Sequence, residues 1–212
     1  MKFYESGDNR KPVIFLFPGT CCLYSSFDHV LDGLHSYFYT VTVSYDGFDP
    51  NEKTEFYSME DECEKIEQEI RKKYGGRIKA AYGCSLGGSF VSLLIQRKRI
   101  HIDHGIIGSS DMDEAGHLVA KIQSSMVVPF MYKMVHTGTL PKFMQKKLDK
   151  TDGGKKELYN GFLNMFGIGK GGSPWITKQS IYNQFYSDLV TKVQHGIDVP
   201  GTTIHVFYAT KM

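Results

Sequence analysis

Ser85 sits at the centre of Gly83-Cys84-Ser85-Leu86-Gly87, a G-x-S-x-G motif. Apolar and small residues lead into it from Arg77-Ile78-Lys79 onward, and the helix-like run Ser89-Phe90-Val91-Ser92-Leu93-Leu94-Ile95 follows. Strand, sharp turn, helix is the setting in which this motif presents a nucleophilic serine. The turn demands small neighbours, because side chains at Gly83 and Gly87 would collide across it. A serine hydroxyl is a weak nucleophile at neutral pH. It needs a base within hydrogen-bond reach and a cradle for the anion that forms. The competing reading is an ordinary glycine-rich strand-to-helix turn with a buried serine.

Other reactive side chains are less organised. Cys21, Cys22, Cys63 and Cys84 contain no C-x-x-C pair, so neither a zinc site nor a redox dithiol is expected, and all four read as reduced, buried thiols. Cys84 occupies an x position of the motif and should point into the packing. Gly167-Ile168-Gly169-Lys170-Gly171-Gly172 resembles a phosphate loop but fails G-x-x-x-x-G-K-[ST]: Asn164 stands where the first glycine belongs, and Gly171 follows the lysine. The basic run 142–156 reads as the wet face of a helix.

The elements that must position Ser85 follow from patterning. Pro12-Val13-Ile14-Phe15-Leu16-Phe17 is a continuous apolar run, as expected of a strand buried on both faces of a parallel sheet. It stops at Pro18-Gly19-Thr20-Cys21-Cys22, a small-residue turn where α/β proteins place binding groups. Residues 25–34 read as a helix with Phe27, Val30, Leu31 and Leu34 on one face, and 39–45 as a second strand. Phe3 and Tyr4 suit a short edge strand. Ser58-Met59-Glu60-Asp61 reads as a capping box opening a helix whose stripe is Met59, Cys63, Ile66, Ile70 and Tyr74, ended by Gly75-Gly76. Residues 101–108 form a further strand, closed by Ser109-Ser110-Asp111. The pattern then changes. Residues 112–199 show apolar, methionine-rich helical segments (118–132, 140–148, 155–166 and 176–193) before a last strand at 202–208. An α/β sheet with an inserted helical block is therefore expected, with core residues 1–111 and 200–212 and a cap at 112–199.

These residues resemble the α/β-hydrolase superfamily on three matches in order: Phe17-Pro18-Gly19-Thr20 as the oxyanion loop, Gly83-Cys84-Ser85-Leu86-Gly87 as the nucleophile elbow, and Ser109-Ser110-Asp111 before the cap. The resemblance covers most of the chain. It implies a mostly parallel sheet and an oxyanion hole formed by the N–H of Leu86 and that of Thr20, with Cys21 as the alternative donor. Asp111 is the tentative triad acid on the same basis; otherwise it caps the next helix. Family order is serine, acid, histidine. The chain reaches Met212 before the strand and loop that carry the family's histidine, so the fold is expected to be C-terminally incomplete. His205 lies inside a strand, and His101, His104 and His195 lie toward the wrong end of the sheet. His29 and His35 belong to the first helix, while His117 and His136 belong to the cap and are the two that could overhang Ser85.

The leading functional expectation is a serine hydrolase cleaving an ester or thioester with a small or apolar acyl part through a Ser85 acyl-enzyme. Met126, Met131, Met134, Phe143, Phe162, Met165 and Phe166 suit an apolar pocket. The rivals are a non-catalytic or inactive shortened hydrolase-like binding protein, and an acyltransferase using the same serine. No cofactor or metal is implied. A net charge of +2 argues against nucleic acid, and no apolar run is long enough to span a membrane. The amino-terminal residues lack an apolar signal core, so a cytoplasmic protein is expected. The last strand should leave a sheet edge exposed, through which a homodimer could form.

Overall fold

The computed structural model describes residues 1–110, 114–150, 153–166 and 171–207. The apolar run after Pro12 becomes β2 (Val13–Phe17), at the interior of a six-stranded sheet. The others are β1 (Lys2–Ser6), β3 (Tyr39–Ser44), β4 (Arg77–Cys84), β5 (His101–Gly108) and β6 (Thr203–Phe207). Their order is β1-β3-β2-β4-β5-β6, and every neighbouring pair is parallel except β1 with β3. The register sets Phe17 beside Gly83 and Cys84 beside Gly108. The carboxyl ends of β2, β4 and β5 therefore lie level, and the turns leaving them meet at one rim of the sheet.

Among the described residues seven α-helices accompany the strands: α1 (Asp28–His35), α2 (Met59–Tyr74), α3 (Leu86–Arg97), α4 (His117–Thr137), α5 (Lys142–Asp149), α6 (Gly154–Met165) and α7 (Lys178–Val190). In α2 the expected cap is present: the Ser58 hydroxyl accepts the Asp61 N–H at 3.1 Å. The helix ends at Gly75 with φ of 63°, the left-handed conformation that glycine adopts without steric penalty. Met59, Cys63, Ile66 and Ile70 are fully buried, as the stripe requires.

The two faces of the sheet are unequally covered. On one, α2, α3 and α7 enclose the main core, with Phe17, Tyr45 and Phe56 stacked or edge-on around Phe90. On the other, Ile14, Leu16 and Ala80 form a small cluster with Phe27, with Leu31, Leu34, Phe38 and Tyr82 at its margin. Beside α1 the bare part of this face forms an apolar cavity of about 440 Å³, lined among others by Leu16, Leu34, Tyr82, Ile106 and Met165.

Three local expectations differ. The first helix is preceded by a 3-10 turn (Tyr24–Phe27) and begins only at Asp28; of the stripe Phe27 is buried, Leu31 and Leu34 are half-buried, and Val30 is 37% exposed. The fourth helix runs on to Thr137 and presents Leu118, Ile122, Met126 and Phe130 outward. Cys84 is half-buried, unlike the fully buried Cys21, Cys22 and Cys63, because it faces the thinly covered side. Between β5 and β6 the described residues contain helices and no strand. None of these helices is long and apolar enough to cross a membrane.

The central position of Phe90 gives a direct test. Phe90→Ala should destabilise the fold by about 3–5 kcal/mol, whereas Val30→Ala should change it by no more than about 0.5 kcal/mol. Denaturant midpoints of the two variants check this; equal effects would contradict the unequal covering of the two faces.

Candidate active site

β4 ends and α3 begins at a single residue. Ser85 has φ of 54° and ψ of −126°, a region that residues with a Cβ rarely occupy and that costs about 1–3 kcal/mol. Close approach on both sides leaves it no alternative path. A Cβ on Gly83 would lie 2.0 Å from the Gly87 carbonyl oxygen, across the turn as expected. A Cβ on Gly87 would instead strike the Phe17 carbonyl oxygen at 2.1 Å, so this glycine is required by β2. The Ser85 N–H donates to the Gly108 oxygen at 2.9 Å, and its carbonyl accepts the N–H groups of Gly88 and Ser89 at 2.8 and 3.3 Å. Held this way, the side chain is exposed while Leu86, the first residue of α3, is fully buried.

The turn leaving β2 lies against the elbow. A Cβ built on Gly19 would be 3.6 Å from the Ser85 Cβ. Cys22 N–H returns to Gly19 oxygen at 3.0 Å, and Cys21 has φ of 59°, which makes residues 19–22 a type II turn with a cysteine where glycine is usual. The Cys21 N–H donates to Gln184 Oε1 at 2.7 Å, so it is already engaged. Among the described residues the N–H groups of Thr20 and Leu86 donate to nothing within the protein. The Leu86 N–H also stands at the amino-terminal, positive end of the α3 dipole.

No histidine or carboxylate hydrogen-bonds the Ser85 hydroxyl among the described residues, and most of the eight histidines have other partners. His117 Nδ1 meets the Tyr186 hydroxyl at 2.9 Å, and His136 packs against Tyr132 at a tilt of 33° with ring centroids 4.9 Å apart, its Nδ1 buried without a hydrogen-bond partner among the described residues. His104 and His205 face each other at 3.3 Å inside their strands, and His101 lies 3.4 Å from Asp103. His35 bonds Ser6, while His29 and His195 are exposed. Asp111 and residues 167–170 lie outside the described residues, as do the side chains of Phe143 and Phe162. Burial raises the Cys84 thiol above its ordinary range, so it is not a thiolate rival to Ser85.

The apolar residues expected to gather over the serine are dispersed. Met126 is 74% exposed and Met134 is buried in the main core, while Met165 lines the cavity beside α1. That cavity reaches Gly19 and Cys84, but Ser85 is not among its walls. It lies on the bare sheet face and meets the rim at Gly19 and Cys84. Gln184, whose spacing in the sequence carries no motif, is the functional candidate that sequence reasoning missed.

A second polar cluster lies away from the elbow. Carboxylate oxygens of Asp46, Asp61 and Glu62 come within 4.8 Å of one another, as metal ligands would. Lys65 and the Met1 ammonium sit among them and already supply positive charge. Glu62 is fully buried, and burial followed by the nearby Asp46 charge raises it from 4.5 to about 7. A carboxyl raised on folding keeps its proton where the unfolded chain has lost it. Its contribution therefore becomes less favourable as pH rises from 4.5 to about 7 and is constant above that window. The unfolding midpoint of wild type minus that of Glu62→Gln should fall across that interval and then level off. A difference independent of pH would overturn the assignment.

No family model matches the chain, and a search of curated proteins finds no match. Solved structures do match. A thermophilic esterase from Thermogutta terrifontis is 14% identical with a TM-score of 0.68, the match covering 97% of this chain and 74% of that one. A structure from work on carboxylesterases of the thaumarchaeon Nitrososphaera gargenis is also 14% identical, with a TM-score of 0.67 and the same coverage. A 1H-3-hydroxy-4-oxoquinoline 2,4-dioxygenase, 14% identical, matches at a TM-score of 0.56 over 88% of this chain and 65% of its own. Esterases and an oxygenase thus share this architecture, so the likeness carries fold and not chemistry. With its mostly parallel six-stranded sheet and a strained serine between β4 and α3, the chain has the α/β-hydrolase fold.

Proposed function

We propose that the chain is a serine hydrolase that cleaves an ester or thioester with a small or apolar acyl part. The observation that carries this reading is the backbone of Ser85, strained at φ of 54° so that its hydroxyl stands exposed at the head of α3. In the proposed reaction the Ser85 Oγ bonds to the substrate carbonyl carbon and loses its proton to a base. The carbonyl oxygen takes up negative charge facing the N–H groups of Thr20 and Leu86. Collapse, with that proton passed on to the leaving oxygen or sulfur, expels the alcohol or thiol and leaves an acyl-enzyme, which water then hydrolyses to the acid and free Ser85. Each donor of this kind is worth about 3 kcal/mol of transition-state stabilisation. Engagement of Cys21 by Gln184 favours Thr20 as the second donor. Asp111 is the proposed acid partner. Four unpaired cysteines support a reducing, cytoplasmic setting.

A second reading, a hydrolase-like binding protein without turnover, is favoured by one observation: no described histidine reaches the Ser85 hydroxyl. A fluorophosphonate probe separates the two. Wild type should label, and Ser85→Ala should label at least about a hundredfold more slowly. Failure of the folded wild type to label would favour the binding reading. Acyl transfer to an acceptor other than water shares the acyl-enzyme and is distinguished by the product formed.

We also propose that a second copy pairs along β6. Val206 and Phe207 are 54% and 63% exposed, and among the described residues the outer edge of β6 has no strand partner. Sedimentation should show a concentration-dependent dimer that Val206→Lys abolishes. A monomer at every concentration would exclude this pairing.

A further inference from the structure

Helix α7 carries a row of buried polar side chains, which an amphipathic helix ordinarily keeps on its wet face. Ser180, Gln184 and Ser187 lie at i, i+4 and i+7, on one face, and are 0%, 0% and 4% exposed. Each accepts a backbone N–H from a different part of the core. Ser180 Oγ takes the Phe56 N–H at 3.2 Å, Gln184 Oε1 the Cys21 N–H at 2.7 Å, and Ser187 Oγ the Met59 N–H at 2.9 Å. Asn183, on the neighbouring strip, returns a bond from its Nδ2 to the Phe56 oxygen at 2.8 Å. A buried amide side chain is costly unless its bonds are made, and Gln184 Nε2 is buried without a partner. The oxygen end is therefore what this residue contributes.

Its partner is the peptide whose orientation defines the turn beside Ser85. Type I and type II turns differ by a flip of the peptide between their two central residues, here Thr20 and Cys21. Cysteine with φ of 59° lacks the ease of glycine in the type II form. The Gln184 oxygen holds the Cys21 N–H in the orientation that this form requires. We propose that Gln184 is a positioning residue: it locks the Thr20–Cys21 peptide and thereby ties α7 to the loop that aims the Thr20 N–H at the Ser85 site. The second half of this statement rests on the serine-hydrolase reading, whereas the lock itself does not.

Amide hydrogen exchange followed by NMR tests the lock without any substrate. In wild type the Cys21 amide should exchange at least tenfold more slowly than that of Thr20. Gln184→Met, of equal length but without an acceptor, should accelerate Cys21 at least tenfold. Gln184→Glu, which keeps an acceptor oxygen, should restore slow exchange, and Ser187→Ala should leave Cys21 unchanged while accelerating Met59. Similar rates for Cys21 and Thr20 in wild type would overturn the proposal even if Gln184→Met did not fold. So would equal acceleration of Cys21 by Ser187→Ala. Fluorophosphonate labelling then reads the consequence: Gln184→Met should label at least tenfold more slowly at a temperature where it is fully folded, and Gln184→Glu should recover most of the loss. Wild-type rates in the folded Gln184→Met variant would overturn the positioning role. An intact exchange pattern in a wild type that does not label would count against the serine-hydrolase reading and leave the lock standing.

Discussion

The geometry of the site depends on a steric allowance at two positions. Where β4 turns into α3, the carbonyl oxygens of Gly87 and Phe17 occupy the space that side chains on Gly83 and Gly87 would need. Without that room the chain could not reverse within one residue, and Ser85 would not be forced into its strained conformation. The strain is held from outside. The Ser85 N–H is anchored to β5 through Gly108, and α3 buries Leu86, Phe90 and Leu94 completely. Burial of this helix stabilises the fold by far more than the few kcal/mol that one strained residue costs.

The same rim is assembled from three levels of the chain. β2 delivers the turn of residues 19–22, β4 delivers the serine, and β5 terminates beside β4, level with it. Parallel pairing is what brings the three carboxyl ends together, because each strand must start again from the opposite edge. The thick side of the sheet, with its aromatic cluster around Phe90, is the rigid support. The thin side, under α1, leaves Ile14, Leu16 and Ile106 lining a cavity that reaches Gly19 and Cys84 but does not include Ser85.

Helix α7 shows how polar residues join the parts. Ser180, Gln184 and Ser187 satisfy loop N–H groups that sheet and helix ladders leave unpaired, and a buried backbone donor must be paired somewhere. The helical residues between β5 and β6 are thus fastened to the core by directional bonds as well as by Ile176 and Ile181. Periodicity reads apolar stripes, so Met59, Cys63, Ile66 and Ile70 were legible while this polar row was not. The same limit explains Val30 and Met126. Each falls in an apolar helical segment, but what covers that segment is set by another part of the chain.

What the sequence determined by itself is local: the elbow, the cap at Ser58, the buried strand 13–17 and the left-handed glycine after α2. Each follows from steric and hydrogen-bond requirements met within a few residues. Tertiary structure alone decided which turn donor is spent and which remains. Thr20 and Cys21 are adjacent and both carry an N–H, so no local rule separates them. The choice is made by Gln184, 163 residues beyond Cys21, whose oxygen takes one N–H and leaves the other. The absence of any histidine bonded to Ser85 among the described residues is likewise a fact of spatial arrangement, since the chain contains eight. Hydrogen-bond partners are assigned by which surfaces meet, and sequence spacing does not encode that meeting.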